Sequence, residues 1–210
     1  MKSDNFLARW KAAPITQVEG CLLVGDTPAM FEWEGPVMSA FADSLDLPGR
    51  ALLEVGFGLG VFTRCAQERR PRSHVIIELH PEVAEAARRL ALSHPNITVI
   101  EDAWQNVEGI GPFDVAFYDS FCPDDMLVED LGRFFRRCVE GLVHDEAAVA
   151  FFVASDVLPP HLRTEALRYF EQVDAAVVRD LRPCERGRAC GFGTSIAIPV
   201  ARRPRRVAAI

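Results

Sequence analysis

Apolar residues along this chain gather in short runs, and the stretches between the runs carry helical spacing. The runs cover residues 51–55, 74–79, 97–100, 113–118 and 147–154 and are rich in branched and aromatic side chains. Near-continuous apolarity over so few residues predicts strands buried on both faces. Residues 82–93 are Ala-rich with apolar spacing and follow Pro81, a good first-turn residue. Residues 126–142 bring Leu127, Leu131, Phe134, Phe135, Cys138, Val139 and Leu142 onto one helical face. Residues 160–170 predict a shorter helix. Strand alternating with helix implies a mostly parallel sheet covered on both sides.

The last third departs from that alternation. Residues 173–180 and 194–200 read as two strands joined by a Cys-, Arg- and Gly-rich loop, with no long helix between them. That pattern predicts an antiparallel hairpin at the sheet edge. A seven-stranded, mostly parallel α/β sheet ending in such a hairpin is similar to the class I methyltransferase fold, a Rossmann-like architecture. A dehydrogenase would repeat a second parallel unit instead. Upstream, residues 31–45 predict an amphipathic helix. With the stretch before it, this helix forms an N-terminal helical cap over the ligand-binding, carboxyl end of the sheet. The expected organisation is one methyltransferase domain over 1–210, with a cap at 1–48, a core at 49–201 and a basic tail at 202–210.

Composition narrows the partners. The chain has 210 residues, 49 % of them hydrophobic, and a formal net charge of −7. An acidic chain is a poor general binder of nucleic acid or anionic membrane, so neither is an expected partner. The run Arg202, Arg203, Arg205 and Arg206 is the local exception, and at a chain end it reads as a solvated tail. The six cysteines, Cys21, Cys65, Cys122, Cys138, Cys184 and Cys190, contain no C-x-x-C pair, and no histidine cluster accompanies them. Zinc, or any metal centre, and a redox dithiol are not expected. The first ten residues, MKSDNFLARW, lack an apolar signal core, and no run reaches membrane-spanning length. A cytoplasmic location with reduced thiols follows as the expectation. Monomer and homodimer both stay open.

The chemistry concentrates in two segments. Residues 51–60 read ALLEVGFGLG, and residues 75–78 read VIIE. An apolar run ends in Glu54, a loop with Gly56, Gly58 and Gly60 follows, and a second run ends in Glu78. Glycines there let the backbone approach a ligand and open a helix, although a tight strand-to-helix turn needs them without any ligand. The spacing is G-x-G-x-G, not the G-x-G-x-x-G of dinucleotide sites. A carboxylate ahead of the loop would repel a pyrophosphate but suits a cationic, methionine-type amine. Glu54 therefore favours S-adenosyl-L-methionine over a dinucleotide. Glu78 stands about twenty residues after the loop, where an acid meets ribose hydroxyls.

Three further residues are candidates. Asp119 follows the run 113–118 and stands at a strand end in YDSF, while Asp124 or Asp125 is the better helix cap. Trp104 follows the third strand, where an adenine ring would rest on a flat indole face. Glu34 reads, on spacing alone, as one exposed acid on a helix.

At these residues the chain resembles the guanidinoacetate N-methyltransferase family, with its arginine delta-N-methyltransferase relatives. WKAAP from Trp10 is similar to the family's W-x-A-A-P, and AMFEWEGPVM to V-M-E-R-W-E-T-P-Y-M. LLEVGFGLG and VIIE match L-E-V-G-F-G and I-I-E, and FDVAFYDSF matches F-D-G-I-L-Y-D-T-Y. The resemblance implies that Glu34 and Asp119 clasp the guanidino group of a substrate. It also implies cofactor contacts by Trp10, Met30, the loop Gly56, Phe57, Gly58, Leu59, Gly60 and Val61, the run Glu78, Leu79 and His80, and Ala103 with Trp104. The chemistry agrees: two carboxylates hold a planar guanidinium fork, and Asp119 takes the proton as the new bond forms.

The chain also departs from the family. Ser155 and Asp156 stand where the family holds its substrate carboxylate with Thr-Ser, and Asp156 would repel a carboxylate. Phe121 replaces a tyrosine, Gln105 replaces a glutamate, and His144-Asp145-Glu146 replaces a Lys-Pro-Gly-Gly turn. The expected enzyme is an N-methyltransferase acting on a small guanidino or amino compound. Methylation of a carbon or oxygen, or cofactor binding without catalysis, are the competing readings.

Overall fold

The structure, a computed structural model, describes residues 2–205. The chain opens with α1 (Lys2–Ala12) and three short strands, β1 (Ile15–Val18), β2 (Cys21–Val24) and β3 (Thr27–Phe31). A single turn of 3-10 helix, Glu32–Glu34, leads into α2 (Gly35–Ser44). The strands β4 (Ala51–Val55), β5 (Ser73–Glu78), β6 (Ile97–Glu101), β7 (Phe113–Tyr118) and β8 (Val143–Phe151) then alternate with α3 (Val61–Glu68), α4 (Pro81–Ala91) and α5 (Asp124–Arg137). The chain continues through α6 (Pro160–Tyr169), β9 (Phe170–Val178), the short α7 (Glu185–Ala189) and β10 (Ile196–Pro204).

The large sheet runs β6-β5-β4-β7-β8-β10-β9. Pairings among β4 to β8 are parallel, while β10 lies antiparallel to both β8 and β9. This is the expected mostly parallel seven-stranded sheet with a late hairpin, and β10 fills the place between β8 and β9. Each buried strand feeds two cores. Leu52 packs with Phe41, Phe62 and Phe117 on one face, and its neighbour Leu53 with Tyr118, Phe134 and Phe135 on the other. Helix α4 shows the local logic. Val83, Ala84 and Ala87 face the sheet, Pro81 starts the first turn, and Arg88 and Arg89 sit at the negative end of the helix dipole. The chain passes from β4 out to β5 and β6 and returns to β7 on the other flank of β4. The crevice beyond the carboxyl ends of β4 and β7 is the switch point where open sheets bind ligands.

Four expectations change. The cap is not purely helical, because β1, β2 and β3 form their own antiparallel sheet. Helix α2 starts at Gly35, later than the expected residue 31, because Phe31 belongs to β3. The helix read over 126–142 is regular only to Arg137, where a wide π-type turn over Cys138–Leu142 follows with Gly141 at φ 125°, while Leu131, Phe134, Phe135, Cys138 and Leu142 keep to one core as expected. Residues 202–204, expected in the basic tail, belong instead to β10, which runs to Pro204. Arg202 donates to the Ser44 carbonyl at 2.8 Å and Arg205 Nε to the Phe170 carbonyl at 3.0 Å, so both clip the sheet edge instead of fraying. Arg206 and the residues after it lie outside the described residues. No described helix is long and apolar enough to cross a membrane.

Candidate active site

A cavity opens at the carboxyl ends of β4, β5 and β7, roofed by the small sheet and by α1. Its floor is the glycine loop. Gly56 has φ +90°, and a Cβ there would stand 2.3 Å from the Asp119 carbonyl oxygen. Only glycine lets β4 and β7 approach so closely at their ends. Gly58 is likewise at φ +54°, with a Cβ position 2.6 Å from Met30 Sδ. Glu78 ties the loop down: its Oε2 accepts the Phe57 N–H and its Oε1 the His80 N–H, both at 2.8 Å. Two backbone bonds leave further lone pairs on this carboxylate for a hydroxyl donor.

His80 ties down the roof. Its Nδ1 accepts the Glu82 N–H at 3.3 Å, which assigns the proton to Nε2, and Nε2 donates to the Ala13 carbonyl at 2.8 Å. That bond anchors the end of α1 across the cavity. Over the mouth, Trp10 stacks on Phe121 with centroids 4.3 Å apart and planes 8° from parallel. Phe6 joins the same aromatic group.

Asp119 lines the cavity from the end of β7, its N–H bonded to the Val55 carbonyl at 2.9 Å. Burial, and then the charges of Glu54 and Glu78, raise its pKa to about 7. Glu34 is only 4 % exposed, which corrects its reading as a solvated acid. The turn Glu32–Glu34 folds it inward, where Oε1 accepts the Phe31 N–H at 3.3 Å. Burial, and then the negative charge of Asp119, push the Glu34 carboxyl well above its ordinary range, against the lowering effect of that N–H. The charge of Asp119 therefore reaches Glu34, which lies behind the cavity wall that Asp119 lines. No cation figures among the described groups that act on either.

The structure brings Trp10, Gly56, Gly58, Glu78, Leu79, His80, Ala103, Trp104 and Asp119 to the cavity wall. Other expected contacts stand behind it. Glu54 points to the opposite face of the sheet, under α3. Its oxygens accept Thr63 Oγ1 at 2.9 and 2.8 Å, and His74 Nε2 lies 2.7 Å away. It is fully buried and committed there, so it is not the partner of a cofactor amine. Phe57, Leu59, Gly60 and Val61 shape the loop from within. The Phe57 ring lies beneath Gly60, and Met30 Sδ accepts the Leu59 N–H at 3.1 Å. Trp104 reaches the wall, but the residue is only 4 % exposed and its ring packs edge-on against Phe134, with the Arg137 guanidinium 5.9 Å from its centroid. It does not offer the open stacking face expected of it. Ser155 and Asp156 are not on the cavity wall. Asp156 is exposed, and the Ser155 hydroxyl accepts the Val157 N–H at 3.4 Å.

Leu22, Val24 and Ala29 of the small sheet, Leu7 of α1, and Asp102, Gln105, Ser120 and Phe121 also line the cavity. The small sheet left a readable trace: Glu19-Gly20 and Gly25-Asp26 punctuate the apolar run 21–24, a hairpin signal.

The profile of the family described as guanidinoacetate N-methyltransferase matches residues 2–130. Protein arginine N-methyltransferase 2 of Emericella nidulans is 34 % identical over 131 residues, 59 % of this chain and 30 % of that protein. The protein of the same name in Aspergillus oryzae is 36 % identical over 132 residues, 59 % of this chain and 31 % of its own length. The chain thus spans about three-tenths of these curated relatives. Among solved structures, the tRNA (m1A58) methyltransferase of Aquifex aeolicus superposes with TM-score 0.62 at 15 % identity, covering 93 % of this chain and 90 % of that one. The 1,6-didemethyltoxoflavin-N1-methyltransferase of Burkholderia thailandensis gives 0.58 at 18 %, covering 83 % and 79 %. At such identities the likeness shows the fold alone, a class I methyltransferase fold. The family match is of another kind: it runs from α1 through the glycine loop and Asp119 into α5, more than half of the chain, and the chain belongs to the guanidinoacetate N-methyltransferase family.

Proposed function

We propose that this chain transfers a methyl group from S-adenosyl-L-methionine to a guanidino nitrogen of a small molecule, with Asp119 as base and Glu34 as its partner in the clasp. The observation that carries the reading is the pair itself: a buried Glu34 raised by the charge of a half-buried Asp119 that lines the cavity, with no described cation among the groups that act on them. Burying two like charges is costly unless a cation joins them. A guanidinium supplies that charge, and its planar fork matches a carboxylate on each side.

The cavity fits the cofactor in three respects. The glycines allow close backbone approach, Glu78 keeps lone pairs for ribose hydroxyls, and Gln105 Oε1 is a buried acceptor without a partner among the described residues, suited to an exocyclic amine. When bound, S-adenosyl-L-methionine supplies an electrophilic methyl. The protein then holds the acceptor in line and excludes water. Glu34 and Asp119 orient the guanidinium so that one nitrogen faces the methyl. As the N–CH3 bond forms and the S–CH3 bond breaks, the nitrogen's proton passes to Asp119. A carboxylate with a pKa of about 7 is a stronger base than an ordinary aspartate and is ionised at mildly alkaline pH.

A second reading has its own support. The curated relatives are named protein arginine N-methyltransferases, so an arginine side chain would present the same guanidinium. The Trp10–Phe121 stack and the anchored α1 favour a small acceptor, because they narrow the mouth of the cavity. Calorimetry with S-adenosylhomocysteine, followed by a turnover assay, separates the readings. Turnover of free guanidino compounds, but not of arginine peptides or simple amines, supports the proposal. Turnover of peptides alone moves the assignment to protein arginine, and no turnover with either overturns it.

A further inference from the structure

We infer that Asp130, on α5, is a positioning residue that sets the nucleoside end of the cofactor cavity; this rests on the functional reading above. The carboxylate lies outside the cavity and gathers three donors, two from its wall and one directly behind it. Its Oδ2 accepts the Tyr118 hydroxyl and, at 3.4 Å, the Trp104 indole N–H, and its Oδ1 accepts Gln105 Nε2 at 2.9 Å. All three donors line the cavity or adjoin it: Trp104 and Gln105 form the turn after β6, and Tyr118 directly precedes Asp119. One carboxylate thus joins the turn after β6 to the end of β7.

The same helix holds the turn a second time. The Arg137 guanidinium donates to the carbonyls of Trp104, at 2.7 Å, and Val107. Asp130 does something Arg137 cannot, because it decides which way the Gln105 amide points. An ionised carboxylate only accepts, so it draws the amide nitrogen and turns Oε1 away. Gln105 Oε1 is then a buried acceptor that finds no partner among the described residues. Burial, and then the charge of Asp130, hold the Tyr118 hydroxyl well above its ordinary pKa, so it remains a donor. The wall is therefore built from donors spent on Asp130 and one acceptor kept for the ligand.

A purely structural acid would affect folding alone, so the test reads the cofactor. Asp130→Asn presents an amide to three donors and lets the Gln105 amide turn over. The affinity for S-adenosylhomocysteine, by calorimetry, should fall about tenfold, the scale for a misdirected hydrogen bond at a buried site. The KM for S-adenosyl-L-methionine should rise in step, with kcat within about twofold of wild type. Gln105→Glu alone sets two carboxylates against each other and should also weaken binding about tenfold. Combining the two rebuilds a single amide–carboxylate bond in reverse, and affinity should return to within about threefold of wild type, a non-additivity that only direct coupling gives. Additive losses, unchanged affinity in both single variants, or equal falls in kcat and active fraction would overturn the inference. A wild-type chain that binds no S-adenosylhomocysteine would instead sink the functional reading, and this inference with it.

Discussion

Replacing Asp119 by Asn should raise stability and abolish turnover together. The base is lost, and general-base catalysis is worth about 100- to 10,000-fold in rate. The stability change follows from the pKa. Burial and the charges of Glu54 and Glu78 raise the Asp119 pKa from 3.8 to about 7 in the folded state. The folded protein therefore holds a proton between those values that the unfolded chain has released. By linkage, stability falls as pH rises from about 4 to about 7 and then levels off. Three pKa units correspond to about 4 kcal/mol as a ceiling, and partial access of Asp119 to the cavity reduces that to about 2 kcal/mol. An asparagine of the same shape carries no such charge. At pH 8 the variant should melt roughly 4–8 °C above wild type in this chain length class, and the gain should shrink toward pH 4. Differential scanning calorimetry of the ligand-free protein at several pH values reads this directly. A variant that is less stable at pH 8, or whose gain is independent of pH, would refute the account of Asp119 as a raised, unneutralised acid.

Other expectations follow from the same geometry. Glu34→Gln removes one side of the clasp and should raise the acceptor KM about 10- to 100-fold in steady-state assays, while S-adenosylhomocysteine affinity by calorimetry stays near wild type. Glu54→Gln should cost about 1–3 kcal/mol in a denaturant titration, because Thr63 and His74 lose a charged partner. It should also shift the acidic limb of the kcat/KM profile to lower pH, since the Glu54 charge helps raise the Asp119 pKa. Gly56→Ala drives a methyl to 2.3 Å from the Asp119 carbonyl at φ +90°. It should destabilise by more than about 2 kcal/mol by the same titration and misplace Asp119 in whatever remains folded. Trp10→Ala should lose about 1 kcal/mol of stacking at the mouth, seen as faster product release in stopped flow and a higher KM for both substrates.

The strands, the glycine loop, Glu78 and Asp119 were legible in the sequence because their signals are local. A run such as 113–118 followed by an acid tells where a strand ends, and in a parallel sheet strand ends are where ligands bind. Glu54 was misread for a physical reason. In a strand buried on both faces, apolar residues occupy every position, so the pattern does not say which face an acid points to. Its partners Thr63 and His74 lie on α3 and β5, and nothing in the run 51–55 announces them. Glu34 failed the opposite way: its burial comes from the inward fold of the turn Glu32–Glu34, which its spacing does not announce, and only family resemblance pointed to it. Trp104 lies at the wall, but Phe134 of α5 meets its ring edge-on and leaves the residue almost wholly buried. The strands of the cap were too short, at four or five residues, to stand out from a loop, although their turn residues marked them. Asp156 shows a limit of carrying positions along a chain by counting: it follows β8 as expected, yet it faces solvent.

The central claim is that the Glu34–Asp119 pair directs a methyl group to a guanidino nitrogen. The most direct measurement is tandem mass spectrometry of the product formed from methyl-labelled S-adenosyl-L-methionine and a guanidino acceptor that turns over. The account predicts one label on a guanidino nitrogen, formed by wild type and absent with Asp119→Asn. A label on carbon, oxygen or an unrelated amine, or an undiminished label in the Asp119→Asn product, would contradict it.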